Sequence, residues 1–163
     1  MEENDVCGIV RHMSVRLHLI AHNIRSRENV GSLFRTADSL GVSKIWLSGY
    51  TPVPPDAKIS KVALGAENSV PFEAHSGIDA VLERLKVHGI PVYALELAPE
   101  AIDLTAFQPP SEMALLLGTE TTGIPPSLLE RCVASIFIPQ KGMKESLNVT
   151  IATAIAAWKI LQK

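Results

Sequence analysis

The sequence predicts a single α/β domain built on a mostly parallel sheet with helices on both faces, and three observations predict it. Apolar and polar residues alternate across 15–19, the period of a half-buried strand, and the next apolar residues recur at helical spacing from Val30 to Ala37. Strand and helix patterns then keep alternating to the end of the chain. Two later runs, 113–117 and 135–138, are apolar almost throughout, as strands covered on both faces are.

Taken in order, Val15, Leu17 and Leu19 alternate with Arg16 and His18 in the first strand. Val30, Leu33, Phe34 and Ala37 stand at i, i+3, i+4 and i+7, one face of a helix, and Gly41 suits its carboxyl-terminal stop. Lys44-Ile-Trp-Leu-Ser48 resumes as a strand, closing a β-α-β unit. Pro52, Pro54 and Pro55 mark a loop, and 57–64 is a short helix candidate. Ile78, Val81, Leu82 and Leu85 repeat the helical spacing, Gly89 closes that helix, and 90–97 is a strand-forming run that starts at Pro91. Residues 98–111 hold three prolines and read as a loop before the strand Met113-Ala-Leu-Leu-Leu117. Pro125 and Pro126 suit the first turn of a short helix ending near Arg131, and Ser135-Ile-Phe-Ile138 is a further buried strand. The last helix is expected from about 145 to 161, with Leu147, Ile151, Ala154, Ile155, Trp158 and Leu161 along one wide apolar stripe.

Ligands of such sheets sit beyond the carboxyl ends of the strands, which directs attention to the loops 21–28, 118–124 and 139–144. Composition narrows the classes further. With 163 residues, 47% apolar and 20% charged, the chain has the size of one domain spanning 1–163, and no repeat or second domain is evident. Its longest apolar runs fall far short of the roughly 20 residues that cross a bilayer, so no membrane span is expected. The opening Met1-Glu-Glu-Asn-Asp lacks the basic and apolar regions of a secretory signal, which makes the cytoplasm the expected compartment. Cys7 and Cys132 show no CxxC spacing or neighbouring histidine cluster, so both read as structural or incidental and no metal site is expected. The net charge of −2 advertises no polyanionic partner. Its distribution says more: Arg11, Arg16, Arg25, Arg27, Arg35 and Lys44 are opposed locally only by Glu28 and Asp38, the pattern of either a local positive face or a solvated surface balanced elsewhere.

No GxGxxG follows the first strand and no Walker glycine loop occurs, which removes two common nucleotide-binding readings. Three other features carry chemistry. Gly118-Thr-Glu-Thr-Thr-Gly123 follows a buried strand, where small residues let a ligand approach the backbone; a tight turn into the Pro125 helix is the alternative. Asn29, Arg35 and Thr36 lie on the first amphipathic helix, with Arg35 off its apolar stripe, where an arginine is ordinarily only solvated. Ser146-Leu-Asn-Val-Thr150 opens the last helix, where Ser146 suits an N-cap and Asn148 gains little unless its amide has a partner.

In order and separation these features are similar to the SPOUT methyltransferases of the TrmH family. The matching motifs are Asn29-x-Gly31-x-x-x-Arg35-Thr-Ala-x-x-x-Gly41-Val, then Gly118-x-Glu120-x-x-Gly123-Ile with Ile138-Pro139, then Gly142-x-x-x-Ser146-Leu-Asn-Val149, with a lesser likeness at Gly65-Ala66. The resemblance runs from about Val15 to Trp158. It implies a carboxyl-terminal segment threaded into a deep trefoil knot, a rare exception to unthreaded chains. It also implies a homodimer whose sites draw on both subunits, with the stripe around Trp158 serving that interface or the monomer's own core. The implied activity is S-adenosylmethionine-dependent methylation of a ribose 2′-hydroxyl in tRNA or rRNA, tRNA being slightly favoured because no RNA-binding module is appended.

By the same resemblance Arg35 is the catalytic residue, while Asn29, Glu120, Ser146 and Asn148 shape the active site, Glu120 and Asn148 as orienters of Arg35 or of the donor. Leu95, Gly118, Glu120, Gly123, Ile138 and Leu147 are the expected donor-binding positions, through backbone groups and apolar walls. Arg25, Arg27, Arg35, Lys141 and Lys144 are the expected RNA contacts, the two lysines flanking the third motif, where solvated lysines are also common. A guanidinium with pKa above about 12 is a poor literal base, so Arg35 is expected to stabilise a developing alkoxide and hold the adjoining phosphate. Thr119 and Thr121 stand where the family's commonest pattern has Asn and Gly. A Cβ at 121 restricts φ and can move the loop, so the alternative is a catalytically silent knotted RNA-binding or assembly protein.

Overall fold

The computed structural model describes residues 15–144 and 146–162. The amino-terminal stretch with Cys7 and Arg11, and position 145 at the expected start of the last helix, lie outside the described residues. In chain order the elements are β1 (Arg16–His22), α1 (Arg27–Leu40), β2 (Lys44–Ser48), α2 (Ala57–Ala63), α3 (Ala66–Ser69), β3 (Phe72–His75), α4 (Ile78–Val87), β4 (Val92–Leu95), β5 (Ile102–Asp103), β6 (Glu112–Leu117), α5 (Pro126–Leu129), β7 (Ala134–Phe137) and α6 (Val149–Leu161). The strands form one sheet in the order β3-β2-β1-β6-β4-β7-β5, and every ladder is parallel.

The alternation in β1 sends Leu17, Leu19 and Ala21 to one face of the sheet and His18 and Ile20 to the other. The first face is covered by α1, α2, α3 and α6, the second by α4 and α5, so helices lie on both sides as the sequence predicts. In β6, Met113 to Leu117 are all buried, the central strand expected from that apolar run.

Helix α1 is tightly specified at both ends. The Ser26 hydroxyl caps it by accepting the Asn29 N–H at 3.1 Å, and Gly41 ends it in the left-handed region at φ 72°. Gly31 explains its own place in the first motif: a Cβ there would stand 2.6 Å from the Ile59 carbonyl oxygen, so only glycine lets α1 and α2 approach so closely.

Several expectations change. β3, α3 and the two-residue β5 were not legible, because each is short, half-buried at a sheet edge or only one turn long. The last helix begins at Val149, and its N-cap is Asn148 rather than Ser146: Asn148 Oδ1 accepts from the Thr150 N–H at 2.8 Å. The face of α6 turned to the core is Thr153, Ala156, Ala157 and Ile160, small residues that admit close packing on α1 and the sheet. The bulkier Ile151, Ile155 and Trp158 are left 52%, 41% and 55% exposed. The basic run also divides, since Arg16 and Lys44 sit at strand starts and pair with Glu112 and Glu73, away from Arg25, Arg27 and Arg35. Burial pushes the Cys132 thiol up to about 11, in keeping with an inert structural role.

Candidate active site

The carboxyl ends of β6, β4 and β7 lie side by side, with Leu95 paired to Leu117 on one flank and to Ile136 on the other. The loops that follow therefore gather Leu95, Gly118, Gly123 and Ile138 at one edge, where an open parallel sheet binds ligands. Leu147 lies on the exposed arm that leads into α6 and is 38% exposed.

Loop 118–124 is closed by its own threonines. The Thr119 hydroxyl donates to the Gly123 carbonyl at 3.2 Å and lies 3.1 Å from the Thr122 N–H and 2.8 Å from the Thr122 hydroxyl. Thr121 is absent from the positive-φ residues, so its backbone needs no glycine and the substitution brings no strain. Gly123 does need to be glycine: its φ is 68°, and a Cβ would meet Glu96 Oε2 at 2.4 Å. Glu96 itself was missed by sequence reasoning. Its carboxylate accepts the Ile124 N–H at 3.0 Å and the Leu97 N–H at 3.1 Å, tying the ends of β4 and β6 together. The available signal was an acidic residue placed directly after an apolar strand at the ligand edge.

Glu120 joins this loop to the start of α1. It accepts from the Ser26 N–H at 3.1 Å, the Arg25 N–H at 3.2 Å and Asn29 Nδ2 at 3.1 Å. Partial burial opposes its charge, but these bonds together with one from its own N–H prevail and hold the carboxyl below its ordinary range. The sign follows: a lowered folded-state pKa contributes stability above the unfolded value, and that contribution is lost as pH falls through the folded one. Since Glu120 is largely open to water, the expected stability difference of Glu120→Gln is below about 1 kcal/mol at neutral pH and vanishes in acid. On the activity that the family resemblance implies, its effect is expected to be larger, roughly tenfold in turnover, because α1 and the loop lose the charged acceptor that joins them. Urea melts at pH 7 and pH 3 beside initial rates check this; wild-type turnover would show that the contact is dispensable.

A second network, also unforeseen, fixes the turn after β2 against the end of β1. Burial lowers the His22 pKa against an opposing pull from Asp79, so the imidazole is neutral at pH 7. Its Nε2 accepts from Asn23 Nδ2 at 3.1 Å, which assigns the Nδ1 proton to the bond with Ser48 Oγ at 2.9 Å. Asn23, at φ 56°, accepts the Tyr50 N–H at 3.2 Å, and Thr51 Oγ1 accepts from the Ile24 N–H at 3.1 Å while its single proton is shared between the Ser48 carbonyl at 2.8 Å and the Ala21 carbonyl at 3.0 Å.

Arg35 lies elsewhere on α1. It is exposed and lines an open hollow of about 600 Å³ with Ser32, Thr36, Thr150, Ile155 and Trp158, so α6 rather than Glu120 is its neighbour. Among the described residues no carboxylate pairs with Arg35 or Arg25, and no hydrogen bond joins Arg35 to Glu120 or Asn148. Arg27 is held by Asp56, the cap of α2, at 2.8 Å. Ser146, Lys141 and Lys144 stand exposed on the arm before α6. The fold thus unites Asn29 with Glu120 and sets Arg35 against α6, while Asn148 spends its amide oxygen on the helix cap.

Residues 16–158 match the model of the SpoU rRNA methylase family. The chain belongs to the SpoU rRNA methylase family. Asn29, Arg35, Glu120, Ser146 and Asn148 all fall inside the matched span. A 23S rRNA (guanosine-2′-O-)-methyltransferase of Vibrio vulnificus is 29% identical over 164 aligned residues, covering 100% of this chain and 66% of that protein. The chain thus spans just under two thirds of that SpoU relative's length. An AdoMet-bound rRNA methyltransferase from Sinorhizobium meliloti superposes with a TM-score of 0.85 at 27% identity, over 91% of this chain and 57% of that one. A structure solved for the 2-OH methylation of C/U34 on tRNA matches at a TM-score of 0.81 and 28% identity, over 90% of this chain and 94% of that one.

Proposed function

We propose that this SpoU-family chain transfers a methyl group from S-adenosylmethionine to a ribose 2′-hydroxyl of tRNA or rRNA. The observation that carries the reading is Asn29 joined to Glu120, on a helix that also presents an exposed Arg35 with no carboxylate partner among the described residues. The edge formed by β4, β6 and β7 fits the donor: Leu95 and Ile138 are half-buried against the core, Leu147 is accessible, and Gly118 and Gly123 leave backbone groups approachable. When bound, the donor supplies an electrophilic sulfonium methyl and keeps the breaking bond's electron pair as a neutral thioether. The chain's own part is alignment and charge: Arg35 faces the ribose oxygen as negative charge develops and the hydroxyl proton passes to solvent. Arg25, Arg27, Lys141 and Lys144 meet RNA phosphate, Arg27 after exchanging Asp56 for it.

Transfer RNA is the favoured substrate, supported by the likeness to a tRNA-methylating chain matched over 94% of its length. We further propose that the arm and α6 complete a carboxyl-terminal trefoil knot, and that the chain acts as a homodimer. Helix α6 supports the dimer, because it is apolar on both faces and only one of them is buried by this chain. No helix among the described residues is long and apolar enough to cross a membrane, and a cytoplasmic site of action agrees with the RNA substrate.

The deciding experiment incubates the purified chain with S-adenosylmethionine and unmodified tRNA or rRNA, then identifies nucleosides by mass spectrometry. A new 2′-O-methylnucleoside is expected in one pool; no methylation in either, from a folded chain that binds no donor, would leave the silent RNA-binding reading instead.

A further inference from the structure

Tyr50 is 58% exposed, at the tip of the turn after β2. An aromatic ring left in water on a rigid turn calls for an explanation that a lone exposed aliphatic does not. The turn is built to hold it. Gly49 sits at φ 65°, and a Cβ there would stand 1.9 Å from Asn23 Oδ1, the atom that accepts the Tyr50 N–H. Asn23 is itself held by the neutral His22. The Tyr50 backbone is thus anchored through Asn23, while its ring stays largely exposed.

Beside the ring stands Arg25, its guanidinium carbon 6.0 Å from the ring centroid, and with Ser26, Glu120 and Thr121 the two residues line an open hollow of about 300 Å³. Among the described residues Arg25 has no carboxylate partner, and its backbone N–H is fixed by Glu120. The hollow offers a flat π-face and a planar cation, has no apolar wall of aliphatic side chains, and contains one carboxylate, Glu120, whose oxygens are engaged by the Arg25 and Ser26 N–H groups and by Asn29 Nδ2. That combination suits an aromatic heterocycle with a phosphate nearby better than a protein side chain or a lipid.

We infer that Tyr50 and Arg25 form a stacking seat for an unpaired nucleobase of the RNA, placed against the Asn29–Glu120 pair. The inference rests on the RNA-methyltransferase reading and adds to it a residue that reads the substrate. A paired base cannot enter, because its faces are covered in the helix, so the seat selects a loop or bulge nucleotide. Stacking is tolerant of base identity; the seat discriminates unpaired from paired RNA more than it distinguishes the four bases.

The test measures equilibrium binding of a labelled single-stranded oligoribonucleotide and of its abasic counterpart, without donor, by fluorescence anisotropy. Wild type is expected to bind the base-bearing strand about tenfold or more tightly than the abasic one. Tyr50→Ala should erase that difference without changing abasic binding, and Tyr50→Phe should retain it. Circular dichroism confirms that each variant is folded. Equal binding of both strands by wild type, no binding at all, or an unchanged preference in Tyr50→Ala would overturn the seat. Failure of the methylation reading looks different: a chain that prefers the base-bearing strand through Tyr50 but methylates no RNA keeps the seat and loses the enzyme.

Discussion

Arg35→Ala is expected to lower methyl transfer to RNA by roughly a hundred- to a thousandfold, the usual cost of removing one donor aimed at developing oxyanion charge. The fold should be unaffected, because Arg35 is exposed and no carboxylate among the described residues pairs with it. Donor affinity should also survive, since Arg35 stands on α1 facing α6 and not at the edge formed by β4, β6 and β7. Arg35→Lys is the sharper variant. It keeps the charge but loses the planar fork that meets an oxygen and a phosphate together, so it should recover only a small part of the activity. Initial rates at saturating donor, with donor binding measured in parallel, separate these cases. Near-normal turnover in Arg35→Lys would sink the alkoxide-stabilising role.

The second large effect is expected at α6. Ile155 and Trp158 are exposed in the single chain and line the same hollow as Arg35, so a partner covering this face would also complete the surroundings of the guanidinium. Truncating Trp158, the largest side chain on that face, to alanine would remove a central aromatic contact, about 2 kcal/mol or more and roughly thirtyfold in dimer affinity. On the proposed dimer, Trp158→Ala is therefore expected to shift sedimentation velocity toward a folded monomer, with wild type expected as a dimer, and to lose at least about tenfold in methyl transfer. The chain's own core should tolerate the change, because the buried side of α6 is Thr153, Ala156, Ala157 and Ile160. A monomeric variant with full activity would contradict a site shared between subunits, and a monomeric wild type would contradict the dimer.

These predictions draw on information of two kinds. Local pattern was enough for β1, α1, α4 and α6, which carry a repeat of two or 3.6, and for β2 and β6, which are short runs of apolar strand-forming residues between helices or turns. It failed for β3, α3 and β5, whose few residues are ordered by neighbours in the sheet and not by their own pattern. It found α6 but neither its first residue nor the side that the chain buries. A helix apolar all round offers no contrast from which to read its buried side, and packing chose the small residues because α1 crosses close by.

The motif residues were legible as residues, through their spacing and their family likeness, while their partnerships were not. That Glu120 accepts from Arg25, Ser26 and Asn29 depends on β1 and β6 lying side by side, a pairing across more than ninety positions of chain. Glu96 and Tyr50 acquire meaning only from what stands opposite them, Gly123 and Ile124 in one case and Arg25 in the other. The sequence by itself determined the α/β class, the mostly parallel sheet and the family, and it directed attention to the loops beyond the carboxyl ends of the strands. Only the tertiary structure decided which groups meet beyond those strand ends, which face of α6 remains open and how the basic run divides, because those depend on contacts between residues far apart in the chain, and local pattern carries no information about them.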